Sequence, residues 1–289
     1  MTAFSPNLVT DLRDILQYPF MQHAFEAGTI IALVAGLVSY LVILRRSAFA
    51  AHAMAHVGFA GAAGAVLLGV NPVFGLLAFT TTTGSGIAVL GPKAANRDVE
   101  IGTVLAFMLG LGVLFISLYT GYSTETYAIL FGEILGISEA SVVLTLEAGI
   151  VIVAAFAVFY RPLLFSALDE DVAEAKGMPV RLLGVVFMLL VAAAVSIAVQ
   201  VIGVLLIFAL LVTPAAIALR LSKRPLTAVI LSILIALGAV WTGLFISAYI
   251  QLPVSFFIVS IVFGAYLIVR GAAALRESAG PKVWQSASD

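Results

Sequence analysis

Cysteine is absent from the 289 residues, which excludes disulfides and thiolate metal ligands together. Any bound metal must be held by nitrogen, by oxygen or weakly by methionine sulfur. Charge is almost as scarce. Only 10% of residues are Asp, Glu, Lys or Arg, against about a quarter in a soluble domain. Histidine occurs three times, too few for the two-iron centre of a membrane oxidase or desaturase. No H-E-x-x-H is present, which removes the obvious membrane zinc protease. No G-x-x-x-x-G-K-[ST] occurs either: LGPKAANR lacks the first glycine and the Ser/Thr needed to cradle phosphates and magnesium. No catalytic residue and no permanently bound cofactor is assigned, and nothing points to nucleic acid.

What fills the chain is hydrocarbon: 63% of residues are hydrophobic and the mean hydropathy is +1.19. The apolar stretches fit about nine spans of ~20 residues, at roughly 24–44, 49–69, 73–91, 99–120, 141–160, 181–200, 202–220, 226–248 and 253–270. The predicted class is an all-α polytopic membrane protein of eight or nine helices. Residues 1–23 form an N-terminal interfacial segment, 24–271 one transmembrane domain and 272–289 a tail. The first segment carries Asp11 and Asp14 and lacks the basic-then-apolar layout of a cleaved signal peptide. Alternating the spans gathers thirteen of the fourteen basic residues on one side, with Arg13 alone opposite. By the positive-inside rule that side is cytoplasmic, with the N-terminus outside and the C-terminus inside.

His52 and His56, in AAHAMAHVGFAGAAGAV, stand out in this setting. Positions i and i+4 share one helix face, so the two imidazoles can hold one metal ion or hydrogen-bond each other. Ionisable groups at membrane depth are costly and usually functional. Ala and Gly fill most of the surrounding helix, a composition that lets neighbouring backbones approach. Met54 falls on another face and reads as packing. His23, before the first span, reads by default as a solvated surface histidine. Thr80 to Thr83 read mainly as hydroxyls back-bonded to the preceding turn. Glu147 lies within the fifth span with its role open. Between the fourth and fifth spans, TETYAILFGEILGISEAS is too interrupted to cross. It reads as a re-entrant or interfacial element whose Glu125, Glu133 and Glu139 would make an outer mouth negative. Between the fifth and sixth spans, acids at Asp169, Glu170 and Asp171 precede a short helical run that stops at Gly177.

DEDVAEAKGMPVR followed one span later by QVIGVLLIFALLVTPAA resembles the permeases of the metal-ion ABC importer family. LVILRRSAFAAHAMAH is similar to that family's run from two arginines into a D-x-x-x-H motif. LFGEILGIS and SAYIQLP resemble its outer loop and the turn before its last span. The resemblance covers roughly residues 25–270. It implies a homodimeric permease in the bacterial cytoplasmic membrane, with a cytoplasmic ABC ATPase dimer below and an extracytoplasmic metal-binding protein above. Asp169, Glu170, Ala173, Ala175 and Gly177, within about 168–178, would form the coupling helix, and ATP would bind the partner subunit. The chain departs from the motif at its first position, where the family usually has aspartate and His52 stands; His56 matches. A second departure is Arg97, where an acid is common. Two protomers would then present four imidazoles. Such a donor set favours Zn(2+), at ~2.0–2.1 Å per nitrogen, over manganese, which prefers oxygen. Manganese or ferrous iron remains the alternative cargo. A haem or siderophore chelate is a further one, although it would want a roomier pathway.

Overall fold

The computed structural model describes residues 13–90, 97–119, 132, 134–250 and 252–279. Nine helices are described: α1 (Pro19–Leu44), α2 (Ala48–Leu67), α3 (Pro72–Leu90), α4 (Arg97–Leu118), α5 (Glu139–Leu168), the short α6 (Glu170–Ala175), α7 (Val180–Leu221), α8 (Pro225–Tyr249) and α9 (Val254–Ala279). Among the described residues there is no strand. Eight helical segments are long and apolar enough to cross a membrane, and Leu206–Leu221 is a shorter apolar one.

The long α7 is two helices. Gly203 sits within it at φ 78°, ψ 166°, outside helical space, a conformation that glycine adopts without a Cβ penalty. The chain turns back there. Phe187, early in the first arm, lies under the Arg45 guanidinium at the end of α1. Ala215, late in the second arm, donates its N–H to Ser39 Oγ of the same α1 end at 3.3 Å. Ile202 and Gly203 lie at the opposite end against Gly132. The second arm has sixteen residues and spans about 24 Å, less than the ~30 Å hydrocarbon core, so the described helices give eight candidate spans and this shorter return arm, within the eight or nine helices expected from the sequence. A boundary falls between 200 and 204, but glycine replaces the loop.

Helix ends differ most from the sequence estimate in three places: α5 runs to Leu168, eight residues past the expected 160, and the other two lie at the ends of the bundle's first and last helices. α1 begins at Pro19, whose missing N–H suits a first helical position, so His23 lies inside the helix. α9 runs on to Ala279, past the boundary drawn at 271, because the Ala-rich segment after Arg270 is a good helix former.

Lipid offers no hydrophobic drive between helices, so close packing of small residues supplies the contact. α2 is the central case: 72% of its apolar stretch is buried, against 11% in α4 and in α9. Its backbone meets that of α3 directly. A Cβ on Gly61 would lie 2.2 Å from the Gly75 carbonyl oxygen, and one on Gly75 would lie 2.0 Å from that of Gly61. α1 and α8 meet in the same way at Gly36 and Ile233, where Ser232 donates to the Gly36 carbonyl at 2.7 Å. Thr80 of α3 and Ser196 of α7 share a buried hydroxyl pair at 2.9 Å.

Gly61→Val should therefore force α2 from α3. The expected loss is about 3 kcal/mol, the upper end of overpacking costs, read as a lower thermal midpoint in detergent. Gly86→Ala, whose Cβ meets nothing within 4 Å, should leave that midpoint unchanged.

Candidate metal pathway and coupling helix

The site starts from a three-residue turn. α1 ends at Leu44, Ser47 N–H returns to Val42 O at 2.9 Å, and α2 starts at Ala48. His52 and His56 follow on the first turns of α2, on one face, each half-buried while Ala51, Ala53, Met54, Ala55 and Val57 around them are buried. The imidazole centroids stand 4.6 Å apart at 83°, edge to face. His52 also lies 4.6 Å from the Phe208 ring on the second arm of α7, at 66°. From Phe208 a half-buried strip continues through Val212 and Ala216, spaced by four on one face. His52 Nδ1 is buried with no hydrogen-bond partner. A buried ring nitrogen of this kind either costs stability or serves as a lone-pair donor. The pair thus presents nitrogen donors from a partly open side of α2. Among the described residues no cluster of three or more His, Cys, Asp or Glu could hold a metal within one chain. For a metal ion two imidazoles would make an incomplete shell, one that further groups would have to finish.

Several expectations from the sequence resolve at this level. Met54 is fully buried, and a Cβ on Gly84 would strike its Cε, so it packs against α3. Thr80, Thr81 and Thr82 each donate to the carbonyl four residues earlier, and Thr80 alone also reaches another helix. His23 lies half-buried near the start of α1 and joins no cluster of metal-holding residues. Glu147 is exposed, on the face of α5 opposite Thr145, Gly149 and Ile152. α5 has 30 residues, about 45 Å, longer than the ~30 Å hydrocarbon core. Glu147 and the exposed Arg161 bracket the apolar stretch between them.

Glu125 and Glu133 lie outside the described residues, as does the side chain of Arg97. Glu139 opens α5 after the N-cap Ser138, whose hydroxyl accepts from Ser141 N–H at 3.3 Å. Beside it, Gly132 at φ 77° packs its backbone onto Ile202 and Gly203, where a Cβ would lie 2.4 Å from the Ile202 carbonyl carbon. This part of the interrupted element therefore plugs the α7 reversal.

At the other end of the bundle, Asp169 caps α6 by accepting from Val172 N–H at 3.0 Å. Gly177, at φ 78°, closes it: Gly177 N–H bonds Glu174 O at 2.8 Å and Met178 N–H bonds Ala173 O at 3.1 Å, a Schellman closure. Ala173 alone turns inward, fully buried; Asp171, Val172, Glu174 and Ala175 are exposed. A larger residue at 173 would lift the helix, so the alanine sets its distance from the bundle. Glu170 and Leu168 line a cavity of about 430 Å³ with Arg45, Arg46, Ser47 and Ser166. The sequence showed Arg45 only as one of two arginines after the first span, and neither its contacts nor Phe208 were singled out, because those contacts are not local.

Comparison with known proteins bears on the family and the fold. The chain is 32% identical over 214 residues to the manganese transport system membrane protein MntC of Listeria innocua, covering 74% of this chain and 76% of that one. It is 31% identical over 236 residues to the manganese import system permease protein ScaB of Streptococcus gordonii, covering 81% and 84%. The solved structure of PsaBC from Streptococcus pneumoniae in complex with Fab superposes with a TM-score of 0.82 at 28% identity, covering 91% of this chain and 95% of that one. The model of the ABC 3 transport family matches residues 17–272, and the chain is a multi-pass membrane protein belonging to that family.

Proposed function

We propose that the chain is the permease of an ATP-driven importer that moves a divalent transition-metal ion across the bacterial cytoplasmic membrane. The observation that carries the reading is the His52–His56 pair on the open side of a helix otherwise enclosed by protein. The working unit is a homodimer, so that two copies of the pair complete one shell around a shared path. α4 and α9, the least covered helices, supply the surface for a second copy. α6 is the coupling helix, held out on Ala173 to fit a groove on a separate ATPase chain that binds ATP. An extracytoplasmic metal-binding protein delivers the cargo at the end bearing Gly132 and Gly203. The N-terminus lies outside and the C-terminus in the cytoplasm, an arrangement that requires an odd number of crossings and therefore counts the shorter second arm of α7 as one.

Two observations bear on the cargo, and they pull apart. MntC and ScaB are named for manganese, and we rank manganese first on that ground. The imidazoles, with no carboxylate cluster completing a site among the described residues, favour zinc, because neutral nitrogen suits zinc and manganese prefers oxygen. Ferrous iron falls between. Transport requires release, so the shell must be weak or open in one conformation.

Uptake into proteoliposomes containing the permease, ATPase and binding protein, with manganese-54 and zinc-65 in competition, decides the matter. His52→Ala/His56→Ala should lower uptake of the cargo metal by roughly tenfold or more, the scale on which perturbed metal sites lose affinity. Unchanged uptake would return the pair to a structural role. His52→Asp adds an anionic oxygen donor to each copy and should raise the manganese-to-zinc uptake ratio several-fold. An unmoved ratio would mean that position 52 does not select the metal. Uptake should also fall as the pH is lowered, because protons compete with metal for imidazole; the double variant's residual uptake should lack that dependence.

A further inference from the structure

The polar core of the coupling end centres on one arginine. Arg45 caps α1, its own N–H bonded to Leu41 O at 2.9 Å and its carbonyl accepting from the Ser47 hydroxyl at 3.1 Å. Its guanidinium donates to the buried Ser166 hydroxyl and reaches the Leu163 carbonyl at 3.5 Å, both on α5. The same group lies 5.0 Å over the ring of Phe187 on α7, a side chain 1% exposed. Ser166 stands three residues before Asp169, the cap of α6, and Phe187 is in the third turn of the helix that follows α6. Arg45 is therefore seated between the two helices that carry α6. Seven residues further along its own chain is His52.

Two features make this fork movable. Pro162 interrupts the α5 ladder immediately before the segment that Arg45 holds; an interior proline removes one hydrogen bond and loosens the turn. The cavity of about 430 Å³ lies beside the guanidinium, between the α1–α2 turn and the start of α6, and leaves room for the last turn of α5 to shift. The opposite side of Arg45 is rigid, because the α1–α2 turn has three residues and Ser47 is buried in it.

We propose that Arg45 is a positioning residue that ties displacement of α6 to displacement of the histidine-bearing helix α2. The inference rests on the reading of α6 as the ATPase coupling helix. Arginine suits the task because one planar group can donate to Ser166 while it stacks on Phe187; a lysine retains the charge and loses the combination.

The test uses the full complex of permease, ATPase and binding protein in proteoliposomes, with ATP hydrolysis and manganese-54 or zinc-65 uptake measured on the same preparation. Arg45→Lys and Ser166→Ala should leave the ATPase bound and hydrolysing within about twofold, yet lower metal moved per ATP by roughly tenfold, the scale of one charge-assisted hydrogen bond. A residue needed only for folding would lower uptake and hydrolysis together with their ratio unchanged, and that outcome overturns the proposal. Ser166→Ala carries the test if the Arg45 variant does not assemble, since it removes only a hydroxyl. Val172→Glu, on the exposed side of α6, separates the two readings. Retention of the ATPase in that variant would refute the coupling-helix reading, and this proposal with it. Loss of the ATPase there, with an unaltered ratio in the Arg45 and Ser166 variants, refutes the proposal alone.

Discussion

Contact between two backbones, α2 and α3 at Gly61 and Gly75, is the constraint from which the candidate site follows. Inside lipid an apolar side chain gains little by leaving hydrocarbon for protein, so a helix is enclosed only if its neighbours can come close. The Ala and Gly surface of α2 allows this on most of its circumference. The histidine face is the exception. Two bulky polar rings cannot take part in such packing, and they mark where the enclosure stays incomplete. The same small residues that bury the helix therefore leave its two histidines at an opening.

The two ends of the bundle are built differently. At one end, backbone packs on backbone: Gly132 closes onto the Ile202–Gly203 reversal, with positive φ at both glycines and no room for a Cβ at Gly132. At the other, a charged side chain spans three helices and a cavity adjoins it. Close backbone packing resists gradual deformation, whereas a hydrogen-bonded arginine next to open space can exchange partners. Rigid-body alternation of access fits a molecule that is stiff at one end and adjustable at the other, with the imidazoles between.

Eight of the crossings were legible because each needs about twenty apolar residues, and the punctuation between them was clear. Their faces were not. In helices apolar all round, hydrophobic periodicity carries little information, so the sequence left Glu147 undecided; its place opposite the buried side of α5 came from the packing. The histidine pair was legible because i, i+4 is a local relation, and so were the cap at Asp169 and the stop at Gly177. Phe208 and the Ser166–Arg45–Phe187 cluster join residues more than a hundred positions apart, and no local rule reaches them. His52 was equally visible in the sequence as a departure from the family motif. On the metal itself, the names of the relatives and the chemistry of imidazole give different answers.

The central claim is that His52 and His56 hold the cargo ion. X-ray absorption spectroscopy at the edge of the metal bound to the assembled complex tests it most directly. The account requires imidazole multiple-scattering features in the first and outer shells, for zinc with nitrogen at about 2.0–2.1 Å, and their loss in the His52→Ala/His56→Ala complex. A shell of oxygen alone, or an imidazole signature that survives the double substitution, would contradict it.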